Sequence, residues 1–190
     1  HQLFEKSDLL DNTCETYLIE EYLFFKHFTF HKQKIAFHRS SMKAYADFLM
    51  SQNMSVTYIE ANDMKSDIRV LLSDILEAGI TQVNFYDPVD NWLLKRLNSF
   101  SDRIQLNMLE TPYFINTNED LSTFFRADKK SFFQTTFYKQ QRLKHHILME
   151  KDGNPRGGKW TYDVDNRKKY PKGQQPPRIQ FPRSSPYWEE

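Results

Sequence analysis

β-rich runs and amphipathic runs take turns along the first two thirds of this 190-residue chain, and that alternation limits the folds open to it. Tyr17-Leu-Ile-Glu-Glu-Tyr22 predicts a first strand. From Lys34 onward Ile35, Met42 and Leu49 recur every seventh residue, with Tyr45, Ala46 and Phe48 beside them, which predicts a helix to about Gln52. Val56-Thr-Tyr-Ile-Glu60 predicts the next strand. Asp63 or Ser66 can cap a helix whose face carries Ile68, Leu71, Leu72 and Ile75, and Gly79 stands where a C-terminal cap belongs. Gln82-Val-Asn-Phe-Tyr86 is a strand stopped by Asp87-Pro88, and Asp90 or Asn91 opens a helix with Leu93, Leu94 and Leu97. Ile104, Leu106 and Met108 alternate with polar residues as a further strand. Asn118-Glu-Asp opens a short helix with Leu121, Phe124 and Phe125, its acidic residues suiting the positive end of the helix dipole.

Such alternation predicts βαβ units and a mostly parallel sheet, so residues 1–125 read as an open, doubly wound α/β domain with flanking helices. In such sheets ligands bind beyond the carboxyl ends of the strands. Here those stretches are residues 20–34, 60–65 and 87–92. The abrupt opening His1-Gln-Leu-Phe4 predicts a chain that begins just after a first strand.

Residues 131–149 predict one more helix, with Phe133, Phe137 and Leu143 or Ile147 on one face and Lys139, Arg142, Lys144 and His145 elsewhere around it. Beyond Met149, four glycines and six prolines break every periodic pattern. Proline fixes φ and removes a donor, so residues 150–190 are expected to form a long irregular connector leaving a domain of residues 1–149.

Charge divides along the same lines. Residues 1–125 hold 11 Lys/Arg against 18 Asp/Glu, whereas residues 126–183 hold 15 against 5. A basic segment of that strength predicts a polyanionic partner, against the plainer reading of a solvated tail. Trp160, Tyr162 and Tyr170 interleave with Arg156, Lys159, Arg167, Lys168 and Lys169, a mixture able to neutralise phosphates and stack on bases. Trp160 itself is expected to bury its ring on protein.

Several chemistries are disfavoured. No glycine-rich phosphate cradle follows any strand. His27 and His31 lack a third ligand and His145-His146 cannot share a helical face, so no metal site is expected. No nucleophile elbow is present, and Cys14 reads as an ordinary thiol. One cysteine, no apolar run long enough to span a membrane and no signal-peptide pattern together predict a cytoplasmic protein without a membrane partner.

Three stretches carry a family resemblance: His1-Gln-Leu-Phe4, His31-Lys-Gln-Lys-Ile-Ala-Phe-His-Arg-Ser-Ser-Met-Lys43, and Phe137-Tyr-Lys139 together with Gly157-Gly-Lys-Trp-Thr-Tyr-Asp-Val-Asp-Asn-Arg167. In order and over nearly the whole chain, the sequence resembles the amino-terminal part of the deoxyribodipyrimidine photolyase-related proteins, the prokaryotic iron–sulfur cryptochromes and six-four photolyases. The resemblance implies a Rossmann-like domain able to hold a lumazine-type antenna. It implies a flavin-binding helical domain in cis, absent from these 190 residues, that carries FAD and an iron–sulfur cluster, with DNA as the partner of the full-length protein. The antenna pocket of the family falls here at His1, Gln2, Glu20 and the segment Phe24 to Lys34, with Phe24 and His1 standing where the family has acidic residues. Lys159, Arg167, Lys168 and Lys169 match a region near DNA and would position phosphates. The implied function is light-driven, flavin-dependent DNA repair. The alternatives are a cryptochrome-like blue-light sensor and a non-photoactive α/β module that binds nucleotides or nucleic acid.

Overall fold

The computed structural model describes residues 7, 9–11, 13–164, 166–169, 171–181 and 186–188. The chain forms two compact units, one of His1–Ile115 with Pro182–Glu190 and the other of Asn116–Phe181.

The first unit is α/β. Its strands are β1 (Glu15–Ile19), β2 (Ser55–Ile59), β3 (Gln82–Tyr86) and β4 (Gln105–Leu109). They pair as two short parallel sheets: β1 beside β2, with Glu15 opposite Ser55, and β3 beside β4, with Gln82 opposite Gln105. The expected single doubly wound sheet is therefore present as two parallel pairs. Parallel neighbours need long crossovers, and these are α2 (Lys32–Ser51) between β1 and β2 and α4 (Asn91–Asn98) between β3 and β4, while α3 (Ile68–Glu77) links one pair to the other. A single turn, α1 (Tyr22–Phe25), precedes α2.

Local chemistry sets the boundaries. β1 ends before the expected Tyr22 because the Glu21 carboxylate accepts the Leu23 amide at 2.6 Å and starts α1. His31 caps α2 through Nδ1, which accepts the Gln33 amide. Asp63 caps only a 3₁₀ turn, Met64–Ser66, and Asp67 caps α3 by accepting the Arg69 amide at 3.0 Å. Gly79 closes α3 at φ 83°, with its amide bonded to the Leu76 carbonyl and the Ile80 amide to that of Ile75, a pairing that favours glycine in the left-handed position. Asp90 caps α4 by accepting the Leu93 amide at 2.7 Å.

The apolar faces of α3 and α4 make the core. Leu71, Leu72, Ile75 and Leu97 pack with Ile59, Phe100 and Ile104, and side chains from all four strands, including Tyr17, Ile19, Val83, Phe85 and Leu106, lie against them. Strand pairs that share one helical layer bury one face in common.

The second unit holds α5 (Asn118–Phe124), opened by a Thr117–Asp120 capping box, and α6 (Gln134–Lys144). Phe137 of α6 meets Phe124 and Phe125 at ring separations of 5.0 and 5.1 Å. The helix expected to reach Met149 stops at Lys144, and its buried residue is Arg142 rather than one of its apolar residues. The Arg142 guanidinium donates to the carbonyls of Ile147 at 3.1 Å, Leu148, and Trp160 at 2.9 Å. His146 and Leu148 adopt left-handed φ of 52° to present this turn. Among the described residues no helix is long and apolar enough to cross a membrane.

Leu72 has no exposed surface at the centre of the core. Leu72→Ala is expected to lower unfolding free energy by about 3 kcal/mol in urea titrations with little change of slope. Leu76→Ala, at the rim of the same cluster, should cost less than half as much.

Candidate functional site

The carboxyl ends of β1 and β2 are tied by one buried carboxylate. Glu20 is fully buried, its amide continuing the ladder to the Ile59 carbonyl at 2.9 Å. One carboxylate oxygen accepts from Arg39 at 2.9 Å and from the Ala61 amide at 2.8 Å, and the other accepts from the Tyr58 hydroxyl at 2.7 Å. Buried charge needs such donors, and with three of them this carboxylate serves the scaffold. Arg39 also pairs with Glu60 at 2.7 Å, and that hydrogen bond holds Glu60 below the usual carboxylate range. Burial, and then the Glu20 carboxylate, push the Tyr58 hydroxyl far above its ordinary pKa. Burial also raises Glu21, against the pull of the Leu23 amide and of Arg96 at 3.3 Å.

Beyond this lattice lies an aromatic shelf. α1 buries Leu23 and Phe25 and turns Phe24 outward, 36% exposed. The His27 ring lies 4.4 Å from Phe28, 6.0 Å from Tyr22 and 5.7 Å from Trp92, all edge-on. Phe28 meets Phe30 at 6.1 Å, and the exposed Lys34 ammonium sits 4.0 Å above the Phe30 ring. Phe28 and Trp92 remain more than half exposed, at 57% and 53%. Trp92 stands in the first turn of α4, so the segments following β1 and β3 meet here. Edge-to-face rings leave open faces, and a shelf of open faces can stack a planar group, each contact contributing about 0.5–1.5 kcal/mol beyond area burial.

Of the expected pocket residues, Glu20 is buried at the end of β1 among Arg39, Tyr58 and the Ala61 amide, Phe24 and Lys34 lie on the segment that builds the shelf, and His1 and Gln2 fall outside the described residues. Sequence reading missed His27, Phe28 and Trp92 as a group. The available signal was the density of aromatics over residues 22–30 and the position of Trp92 at the end of the third strand-end stretch. His27 and His31 serve the shelf and the α2 cap respectively, and among the described residues no three His, Cys, Asp or Glu side chains gather as a metal site.

In the second unit Lys159, Arg167, Lys168 and Lys169 are all exposed. Trp160 is half-buried, with its ring 5.5 Å from the Arg142 guanidinium and 5.6 Å from the Lys139 ammonium. The turn before it needs glycine: Gly157 has φ 79°, and a Cβ there would come within 2.3 Å of the Tyr162 hydroxyl. A cleft of about 400 Å³ between α5 and α6 is bordered by Arg126, Lys129, Lys144 and Asp120.

Comparison with known proteins settles the family. The profile of the family described as "Deoxyribodipyrimidine photo-lyase-related protein" matches residues 1–190. This chain belongs to that family. It is similar to an uncharacterized protein of Acanthamoeba polyphaga mimivirus, 35% identical over 184 residues that cover 90% of this chain and 92% of the relative. It is also similar to a (6-4) photolyase of Agrobacterium fabrum, 25% identical over 145 residues, covering 72% of this chain and 28% of that protein. The chain thus spans nearly the whole of one relative and under a third of the other.

The Gly157-Gly-Lys-Trp160 turn is tied to the residues just past α6 by Arg142, which donates to the Trp160 carbonyl and to those of Ile147 and Leu148. Arg142→Ala strands those carbonyls, and lysine lacks the fork to replace it. Limited trypsinolysis at Lys159 is expected to run about tenfold faster in Arg142→Ala, the equivalent of roughly 1.4 kcal/mol of local opening. Equal cutting rates would mean that the clasp does not hold the turn.

Proposed function

We propose that this chain is the antenna-type, Rossmann-like α/β portion of a photolyase-related, light-driven and flavin-dependent DNA repair protein. The observation that carries the reading is the meeting of His27 and Phe28, from beyond β1, with Trp92, from beyond β3. In a doubly wound sheet that is where ligands settle, outside the carboxyl ends of strands whose order reverses. The residues present suit a planar heterocycle by stacking: Phe28 and Trp92 are more than half exposed, and the Lys34 cation sits over the neighbouring Phe30 ring. Glu20 is consumed by the scaffold and Phe24 carries no charge, so recognition rests on aromatic faces rather than on a carboxylate. A lumazine-type antenna bound there would absorb light and pass the excitation to a flavin. FAD and an iron–sulfur cluster belong to the helical domain the family resemblance implies, and the single Cys14 could not ligate a cluster.

Lys159, Arg167, Lys168 and Lys169 then serve as phosphate contacts for DNA in the full-length protein. Such contacts position the duplex without reading sequence. A blue-light sensor would use the same parts, with repair of a (6-4) lesion by the full-length protein separating the two. One finding favours a further reading: the chain covers 92% of the mimiviral relative, so this region recurs in a protein little longer than itself. That supports a binding module working without light.

Two measurements test the reading. Fluorescence titration of the 190-residue chain with 6,7-dimethyl-8-ribityllumazine should show saturable binding, weakened about tenfold or more by Trp92→Ala. Lack of saturation in the parent chain rejects the antenna role. For DNA, the double change Lys168→Ala and Lys169→Ala should lower the slope of log affinity against log salt by about 2, judged by anisotropy with a labelled duplex. An unchanged slope makes these lysines solvated surface.

A further inference from the structure

Trp92 and Arg96 stand one turn apart on α4, so both side chains leave the same face of that helix. Trp92 meets His27 at 5.7 Å. Arg96 reaches the Glu21 carboxylate at 3.3 Å and the Asp67 carboxylate at 3.4 Å, and its guanidinium lies 5.9 Å from the Tyr22 ring. Tyr22 in turn lies 6.0 Å from His27, and its carbonyl accepts the amides of Lys26 and His27, each at 2.9 Å. α4 therefore grips α1 at both ends, through Arg96 at the residue that caps it and through Trp92 just past its last residue.

α1 depends on that grip. Its four residues make one turn, which bears the cost of helix nucleation without the bonds that propagation adds. Glu21 caps it by accepting the Leu23 amide, and Glu21 is itself only 5% exposed. A buried carboxylate is costly unless a cation compensates it. Arg96 faces it from α4. From the start of α3 come the Ile68 amide, the Asp67 carboxylate, and Arg69, which is engaged by Asp67 at 2.6 and 3.0 Å. Among the described residues Arg96 is the cation in contact with Glu21. The neighbouring Glu20 is turned to Arg39 and Tyr58, and Phe25 of α1 meets the His38 ring of α2 at 6.4 Å.

We infer that Arg96 is the positioning residue of the shelf: by neutralising the buried Glu21 carboxylate it keeps α1 closed and so holds His27 against Trp92. A proton on Glu21 can then stand in for the arginine. Burial raises the Glu21 pKa, helped by the Asp67 charge and opposed by the Leu23 and Ile68 amides and by Arg96. Asp67, held low by its hydrogen bond from Arg69, stays ionised over the same range. A carboxyl that binds its proton more tightly in the closed state than in water favours closure as pH falls. With Arg96 present that dependence is small. Without it the ionised Glu21 is left unpaired and α1 opens, and acid closes it again. The consequence for ligand binding rests on the antenna reading proposed above, whereas the closure of α1 does not.

Amide hydrogen exchange in Arg96→Gln and in the double variant Glu21→Gln/Arg96→Gln tests the inference, with protection referred to the intrinsic rate at each pH. In Arg96→Gln, protection of the Lys26 and His27 amides should fall about tenfold or more near neutral pH and recover by about pH 5, while that of Leu72 in the core holds. In the double variant glutamine keeps an acceptor for the Leu23 amide without the charge, so protection should return at neutral pH and vary little with acid. Both variants retain His27 and His38, so a pH response that survives in the double variant belongs to those residues and overturns the inference. Undiminished protection in Arg96→Gln, a loss that neither acid nor the second substitution repairs, or a loss shared by Leu72 overturns it as well. Titration with 6,7-dimethyl-8-ribityllumazine separates this inference from the reading it deepens. If the 190-residue chain binds, Arg96→Gln should bind about tenfold less tightly at neutral pH and the double variant should match the parent. Equal binding by Arg96→Gln would contradict the positioning role. A parent chain that does not bind rejects the antenna reading alone, and the exchange data still decide the role of Arg96.

Discussion

The Glu20 carboxylate sits in a place where no water reaches it, and much of the first unit is arranged around satisfying it. Arg39 comes from α2, Tyr58 from β2 and the Ala61 amide from the turn after β2. Removing one partner of a buried ion pair typically costs about 3–5 kcal/mol because the other is left unpaired. The network therefore pins α2 against the carboxyl ends of β1 and β2. It also fixes the point from which Glu21 launches α1 and from which the Phe28 and Phe30 rings emerge.

The second unit uses a different device for a similar end. Arg142 is buried in place of an apolar residue and gathers the carbonyls of Ile147 and Leu148, just past α6, with that of Trp160. With Trp160 against the guanidinium and glycine required at position 157, the chain leaves α6 along a defined path. Lys159, Arg167, Lys168 and Lys169, which follow, are exposed.

Much of this was legible from sequence and some was not, for physical reasons. Period-two runs marked β2, β3 and β4 closely, because half-buried strands advertise themselves by alternation. The Leu71, Leu72 and Ile75 face of α3 and the Gly79 cap were legible in the same way. The cap of α3 was misplaced because Asp63, Ser66 and Asp67 all have capping chemistry, and tertiary pull decides among them. The length of α6 could not be read, since a helical pattern does not reveal that Arg142 will take the carbonyls of the next turn. The sheet was expected as one piece and is present as two pairs, an outcome set by strand pairing at a distance. Glu20 was expected at the antenna pocket, and no sequence pattern signals the three donors that surround its buried carboxylate. Trp92 and His27 meet from segments far apart in sequence, a relation that no local pattern encodes.

The proposed function assigns these features to light-driven DNA repair, and the aromatic shelf is where that proposal meets the structure most closely. NMR mapping of the 190-residue chain with 6,7-dimethyl-8-ribityllumazine tests it directly. The account predicts saturable shifts of the His27, Phe28 and Trp92 ring signals, with the Leu72 methyls unmoved. Saturable shifts confined to residues 116–181, or no saturable shifts at all, would contradict it.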